Sequence, residues 1–170
     1  MNKRTKVILG ILISLLILGT AFLTYEVISG KAHYILQKPG QKSGEVEDIA
    51  YVEAKEGDKV VIPPGYGHIT INPGKKTLIM SNLVESTFKS EYGSFKKLKG
   101  AAYYETTNGW EKNPNYTKVP EIRLIKVKKL YSKLPFFLEP PQYKMFIKNP
   151  EKFLFLTKPQ EYTEFFKKFL

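Results

Sequence analysis

The chain has 170 residues, of which 42% are hydrophobic and 14% aromatic, a composition typical of a packed globular protein and not of a disordered one. It contains no cysteine, which excludes disulfides, cysteine-ligated zinc and thiol nucleophiles. His33 and His68 are its only histidines, so one copy cannot build a histidine-rich metal site. The net charge of +11 comes from scattered lysines. We interpret these as a solvated surface and predict no nucleic-acid partner.

Residues 1–24 predict a membrane anchor. The basic stub MNKRTK precedes an apolar run with no charge between Lys6 and Glu26, and its roughly 17 residues are the lower limit for a membrane-spanning helix. The basic residues predict a cytoplasmic N-terminus, a single pass through the membrane, and an extracytoplasmic globular part. A cleaved signal peptide is the alternative, because Gly19-Thr20-Ala21 fits a small-residue cleavage site.

The segment from Tyr25 to about Leu98 predicts short strands and turns. YEVI and HYILQ, separated by Ser29-Gly30-Lys31, predict a hairpin with glycine at its bend. Residues Asp58 to Val84 predict a nearly continuous antiparallel sheet. We therefore assign residues 25–130 to one β domain.

Residues 131–170 predict a helical appendage. Several prolines divide this segment, and each is expected to begin a short helix. The last residues place one group of aromatic side chains on a helical face, namely Tyr162, Phe165, Phe166 and Phe169. We expect this face to cap the sheet, and contact with a membrane is the alternative.

The segment GDKVVIPPGYGHITIN carries the most specific motif. It fits the pattern G-x5-P-x-G-x2-H-x3-N at Gly57, Pro63, Gly65, His68 and Asn72. The VVI strand is followed by a Pro/Gly turn, and the next strand begins with an imidazole directed inward. This is the second motif of the cupins.

YEVISGKAHYILQ, the PPGYGH turn and the later EYG resemble the cupin-type glucose-6-phosphate isomerases of archaea and some bacteria. The resemblance covers residues 25–110. It implies a β-barrel and a divalent metal (Fe, Mn or Zn) that polarises the sugar oxygens during interconversion of glucose 6-phosphate and fructose 6-phosphate. It also implies that His68 is a metal ligand and that Tyr25 and Tyr92 bind the substrate.

The first cupin motif, which supplies two histidines and a glutamate, is missing. The resemblance places that glutamate, a metal ligand and candidate catalytic base, at Leu23, and the histidines in the ILISLLILG run. A histidine of the family's later loop falls on Ser90. No catalytic residue is therefore assigned, and the isolated chain is predicted to be inactive.

The sequence thus predicts an all-β, cupin-like domain, a partial jelly roll, with an N-terminal transmembrane helix and short C-terminal helices. Three hypotheses stay open at this point. The first is a degenerate isomerase homologue that needs metal ligands from a homo-oligomer or a split-cupin partner, and that binds a sugar phosphate if active. The second is a membrane-anchored, non-catalytic cupin module that binds a sugar or a protein. The third is a remnant of a disrupted gene.

Overall fold

The computed structural model describes residues 22–127 and 141–162. Within these ranges the chain is mostly β-structure with a few short helices, which confirms the all-β prediction. The strands are β1 (Leu23–Ser29), β2 (Lys31–Pro39), β3 (Val46–Lys55), β4 (Lys59–Ile62), β5 (Gly67–Ile71), β6 (Ile79–Val84), β7 (Tyr103–Thr106), β8 (Gly109–Lys112) and β9 (Arg123–Leu124). The helices are α1 (Gly93–Lys97), α2 (Gln142–Lys148) and two 3-10 helices, Pro150–Leu156 and Pro159–Tyr162.

The strands form two main sheets with a shared core. One sheet has the order β4-β1-β6 and the other β5-β2-β3-β9, while β7 and β8 pair as a separate hairpin. All of these pairings are antiparallel except that of β3 with β9. Val27 of β1, Tyr34 of β2 and Val52 of β3 belong to one buried cluster. Apolar side chains from both sheets therefore meet in a common interior, where their burial stabilises the fold.

Gly30 marks the point where the chain changes sheet. Its φ is +90°, and a Cβ built there would lie 3.0 Å from the Thr77 carbonyl oxygen, so only glycine fits without strain. β1 pairs with β4 and β6, whereas β2 pairs with β3 and β5. The predicted hairpin is therefore wrong. The predicted continuous sheet from Asp58 to Val84 is wrong too, because β4 and β6 flank β1 and β5 flanks β2.

The C-terminal segment, residues 141–162, covers the outer face of the β4-β1-β6 sheet. The Gln142 backbone N–H donates to Glu26 Oε2 at 2.7 Å, and the Gln142 side chain donates to the Ser81 carbonyl and hydroxyl oxygens. The Phe22 and Phe155 rings meet edge to face, 5.6 Å apart. Residues 141–162 thus cap the sheet, but of the aromatic face predicted to do so only Tyr162 is described, packed against Phe155. Phe165, Phe166 and Phe169 lie outside the described ranges.

The loop and hairpin between Phe95 and Ile122 cover the other face of the β5-β2-β3-β9 sheet. Ile35 and Ile49 on that face form a second buried cluster with Ala102, Tyr103 and Tyr116. This sheet is therefore buried on both sides, which explains why consecutive residues of β2 are buried and do not alternate with exposed ones.

The predicted single-pass membrane localisation is contradicted. In residues 22–127 and 141–162, no helix is long and apolar enough to cross a membrane. Leu23 and Thr24, predicted to end the anchor, instead begin β1 opposite Ile62 and Val61. Their apolar surroundings are the protein core and not lipid. The rest of the predicted anchor, residues 1–21, lies outside the described residues.

Candidate functional site

The motif turn places His68 at the beginning of β5. Gly65 has a φ of +77°, and the Tyr66 N–H donates to the Pro63 carbonyl at 3.3 Å, so the turn needs the Pro and Gly residues at these positions. His68 lies opposite Leu36 of β2, and Leu36 is a buried residue of the main core. Because directly opposed residues share a face of a sheet, the imidazole points between the two main sheets.

Tyr25 meets His68 from the facing sheet. Its hydroxyl lies 2.9 Å from His68 Nε2, and the two rings are 5.3 Å apart. On β6, which pairs with β1, Asn82 lies directly opposite Tyr25, and its amide acts to lower the pKa of the Tyr25 hydroxyl. The structure therefore brings two predicted site residues together and adds a third polar group. We call Tyr25, His68 and Asn82 the inter-sheet polar cluster.

Tyr92, the third predicted site residue, lies at the edge of this cluster. It immediately precedes α1 and is 57% exposed, and it is near enough to Tyr25 to influence its ionisation. Phe95 of α1 packs so closely on Gly67 that a Cβ at Gly67 would lie 2.8 Å from the ring. This contact fixes α1, and with it Tyr92, beside the strand that carries His68.

The inter-sheet polar cluster is uncharged near neutral pH. Burial lowers the pKa of His68, because a charged imidazolium loses its hydration there. Burial and the neighbouring Tyr92 raise the pKa of Tyr25, and the hydrogen bond from Asn82 only partly offsets this. The cluster thus offers a neutral imidazole, a phenol and an amide, groups that both donate and accept hydrogen bonds to hydroxyl-rich ligands.

The residues of this cluster do not fit a divalent metal. Leu23, where the resemblance places a glutamate ligand, is 7% exposed and packs in the main core. Across the described ranges, no group of three or more His, Cys, Asp or Glu residues could hold a metal ion. A stable site needs three or four such donors, and His68 Nε2 is already paired with Tyr25. Within the part of the chain that the structure describes, the implied role of His68 as a metal ligand thus has no further donors beside it.

The second histidine lies on the opposite face of the same sheet. His33 is three residues from Leu36 on β2, so the two side chains point to opposite faces. Its Nδ1 is 2.7 Å from Glu105 Oε1 of β7. The two histidines of the chain therefore cannot ligate one ion within a single copy.

Sequence reasoning missed Asn82 as a member of the cluster. Its signal in the sequence was weak, because Asn82 is one of three polar residues in TLIMSNLV, beside Thr77 and Ser81. Its position becomes informative only once β6 is known to pair with β1. Ser90, by contrast, lies in the exposed loop before α1.

Two mainly antiparallel sheets with a histidine directed inward after a Pro/Gly turn are consistent with the cupins, a class of double-sheet β proteins. The family model of glucose-6-phosphate isomerase (GPI) matches residues 22–130, and the resemblance inferred from the motifs is thereby confirmed. Since the match spans more than half of the chain, this chain belongs to the cupin-type glucose-6-phosphate isomerase family. No curated protein matches the chain.

The lowered pKa of His68 predicts a loss of stability in acid. The ordinary value is 6.5 and the folded value lies below it. As the pH falls through 6.5 the unfolded chain therefore binds a proton first, and stability present above that pH is lost down to the folded pKa. His68 can change proton uptake on unfolding by at most one proton, so the free energy of unfolding falls by at most about 1.4 kcal/mol per pH unit from this group. Urea unfolding between pH 7.5 and pH 5 in chelator-treated buffer measures it.

The variant His68→Gln is expected to show a smaller acid loss than the wild type, and His33→Gln serves as its control. Burial alone would raise the pKa of Asp48, but hydrogen bonds from Arg123 and Tyr66 outweigh it and lower the pKa. The contribution of Asp48 to the free energy of unfolding is therefore lost only at lower pH than that of His68. Equal pH dependence in His68→Gln and wild type would show that the imidazole is already solvated.

Proposed function

We propose that this member of the glucose-6-phosphate isomerase family does not isomerise sugars as an isolated chain and instead binds a sugar at the inter-sheet polar cluster. One observation carries the proposal: His68 Nε2 is hydrogen-bonded to Tyr25 at 2.9 Å and not free for a metal. The position where the resemblance needs a carboxylate is the buried Leu23. Isomerisation requires a base and an electrophile at the sugar carbons. A neutral imidazole could act as a base, but the phenol and amide beside it supply hydrogen bonds and no strong electrophile, so the pair is incomplete.

Sugar binding is supported by the chemistry and position of the three groups. All are uncharged and held by strands of two different sheets, so their geometry is fixed before a ligand arrives. Tyr25 and His68 are half-buried, whereas Asn82 is exposed. The half-exposed Tyr92 adds an aromatic ring at the edge of the cluster. Because the family acts on glucose 6-phosphate and fructose 6-phosphate, these are the first ligands to test.

A second candidate is an isomerase completed by another chain, either a further copy in a homo-oligomer or a separate partner that supplies a strand with metal ligands. The inward position of His68 favours it, because the imidazole would need only to exchange Tyr25 for a metal. This candidate predicts turnover that appears with metal and rises with protein concentration or with the added partner.

The full chain is expected to show no interconversion of glucose 6-phosphate and fructose 6-phosphate with Mn²⁺, Fe²⁺ or Zn²⁺. Binding of the same sugars, measured by ligand-observed NMR or calorimetry, is expected to weaken about tenfold in Tyr25→Phe, since one hydrogen bond to the ligand is lost. Tyr104→Phe is the matched control, because its hydroxyl contacts only the Lys99 carbonyl among the bonds described.

Metal-dependent turnover that His68→Ala abolishes would overturn the non-catalytic proposal and support the completed isomerase. A folded chain with neither turnover nor binding would refute the sugar-binding part.

A further inference from the structure

Three segments of the chain meet at one carboxylate oxygen close to the turn that presents His68. Asp48 Oδ2 accepts a hydrogen bond from the Tyr66 hydroxyl at 2.7 Å and another from Arg123 Nη2 at 2.6 Å. Asp48 lies on β3, Tyr66 in the motif turn and Arg123 on β9. We call these three residues the Asp48 latch.

The motif turn is also held by apolar packing, because the Tyr66 ring lies against the main core and Pro63 is buried. Its backbone bond, from the Tyr66 N–H to the Pro63 carbonyl, is long at 3.3 Å, and Gly65 leaves the backbone conformationally free. The hydroxyl of Tyr66 adds a polar tie from the turn to Asp48 on β3. On the other side, Phe95 packs against Gly67. His68 follows directly, so the turn between these two anchors determines where the imidazole points.

Arg123 restrains the position of the Asp48 carboxylate, which accepts the Tyr66 hydrogen bond. Its guanidinium reaches Asp48 from β9, which pairs in parallel with β3 beginning at Ala50 opposite Arg123. A charge-assisted bond of this kind is shorter and more directional than one between neutral groups. Asp48 Oδ2 is thereby held in place to receive the Tyr66 hydroxyl.

We propose that Asp48, Tyr66 and Arg123 are positioning residues which orient His68 toward Tyr25 through the motif turn. Tyr66 belongs to the sequence motif, yet none of the three touches His68 in the contacts described. Their effect is transmitted by the short backbone path from Tyr66 to His68. The inference deepens the proposed function and depends on it only for the effect on ligand affinity.

Nitrogen-15 NMR of the His68 imidazole in the full chain tests the proposal directly. Spectra are recorded at one pH near 7.5 with chelator and without sugar, so that neither ligand nor metal contributes. In Tyr66→Phe and in Asp48→Asn, the Nε2 resonance is expected to move from its wild-type position because the bond to Tyr25 is lengthened or lost. In Tyr104→Phe, which removes the hydroxyl bond to the Lys99 carbonyl at an exposed position away from the turn, it is expected to stay.

The double variant distinguishes an effect of the shared Tyr66–Asp48 hydrogen bond from independent effects of the two substitutions on the turn. If the two residues act through one bond, Tyr66→Phe combined with Asp48→Asn shifts the resonance no further than the larger single change, whereas independent effects would add. Affinity for glucose 6-phosphate, where the wild type binds it, is expected to fall about three- to tenfold in each single variant.

Circular dichroism confirms that each variant is folded before its spectrum is interpreted. If Tyr66→Phe fails to fold, Asp48→Asn, which keeps the size and shape of the side chain, decides the question alone. A folded variant with the wild-type His68 resonance, or full additivity in the double variant, would overturn the proposal. Failure of the wild type to bind sugar would refute the proposed function but leave the NMR result valid.

Discussion

Replacing Glu26 by alanine is expected to lower the free energy of unfolding by about 3 kcal/mol, because it removes one half of a buried ion pair. Glu26 Oε1 lies 3.6 Å from Lys59 Nζ, and the two side chains are only 6% and 3% exposed. The other oxygen of Glu26 accepts the Gln142 backbone N–H. The substitution removes the carboxylate beside the buried Lys59 ammonium, which keeps the Gly57 carbonyl, and it removes one of the bonds that hold the beginning of α2 on the sheet. Urea denaturation of both proteins at pH 7.5 measures the loss.

The exposed pair of Lys38 and Glu47 provides a matched control. Its N–O distance is shorter, 2.6 Å, but both partners are largely exposed, so Glu47→Ala is expected to cost under about 1 kcal/mol. The difference in stability loss between the two variants should therefore follow the burial of the ion pair and not its N–O distance. A double variant, Glu26→Leu with Lys59→Met, is expected to recover much of the loss because no charge stays buried. If Glu26→Ala costs no more than Glu47→Ala, the interior around Glu26 is hydrated.

Replacing Phe155 by alanine is expected to destabilise the protein by about 3–5 kcal/mol, the range for removing a buried aromatic side chain. Phe155 is 2% exposed, and its ring contacts those of Phe22, Phe153 and Tyr162. The contact with Phe22 joins the C-terminal segment to the chain just before β1. Thermal and urea unfolding of Phe155→Ala against the wild type measure the effect.

Leu154→Ala is the control for this prediction, because Leu154 precedes Phe155 in the same 3-10 helix but is 39% exposed. It is expected to cost well under half as much, since little apolar surface is lost from the core. Similar losses in the two variants, or an unaffected Phe155→Ala, would mean that residues 141–162 are only loosely attached to the sheet. Agreement would show that the C-terminal segment belongs to the same cooperative unit as the strands.

Much of the candidate site could be derived from the sequence because its signals are local. The spacing from Gly57 to Asn72 fixes a turn and the beginning of a strand, and β5 indeed begins at Gly67 with His68 next. Asn72 also acts locally, since its side chain accepts the Gly74 N–H and donates to the Lys76 carbonyl. The family assignment followed from these same residues and is confirmed by the match over residues 22–130.

The predictions that were wrong concern partners far apart in sequence. A glycine with positive φ indicates a bend at Gly30 but does not say whether the next strand returns beside the first or crosses to another sheet. The apolar pattern around Leu23 likewise fits lipid or a protein core equally well. Only the pairing of Leu23 with Ile62 in β4 and Val84 in β6 decides in favour of the core.

The sequence by itself determined the β class, the motif turn, the family and the lack of cysteine and of a third histidine, because each depends on residue identity or short spacing. The tertiary structure decided that Tyr25 and Asn82 meet His68, that His33 lies on the opposite face, and that residues 141–162 cover the outer face of the β4-β1-β6 sheet. These outcomes depend on strand register and on which faces pack together. Both are set by the total burial of apolar surface across the whole chain, which no local segment encodes.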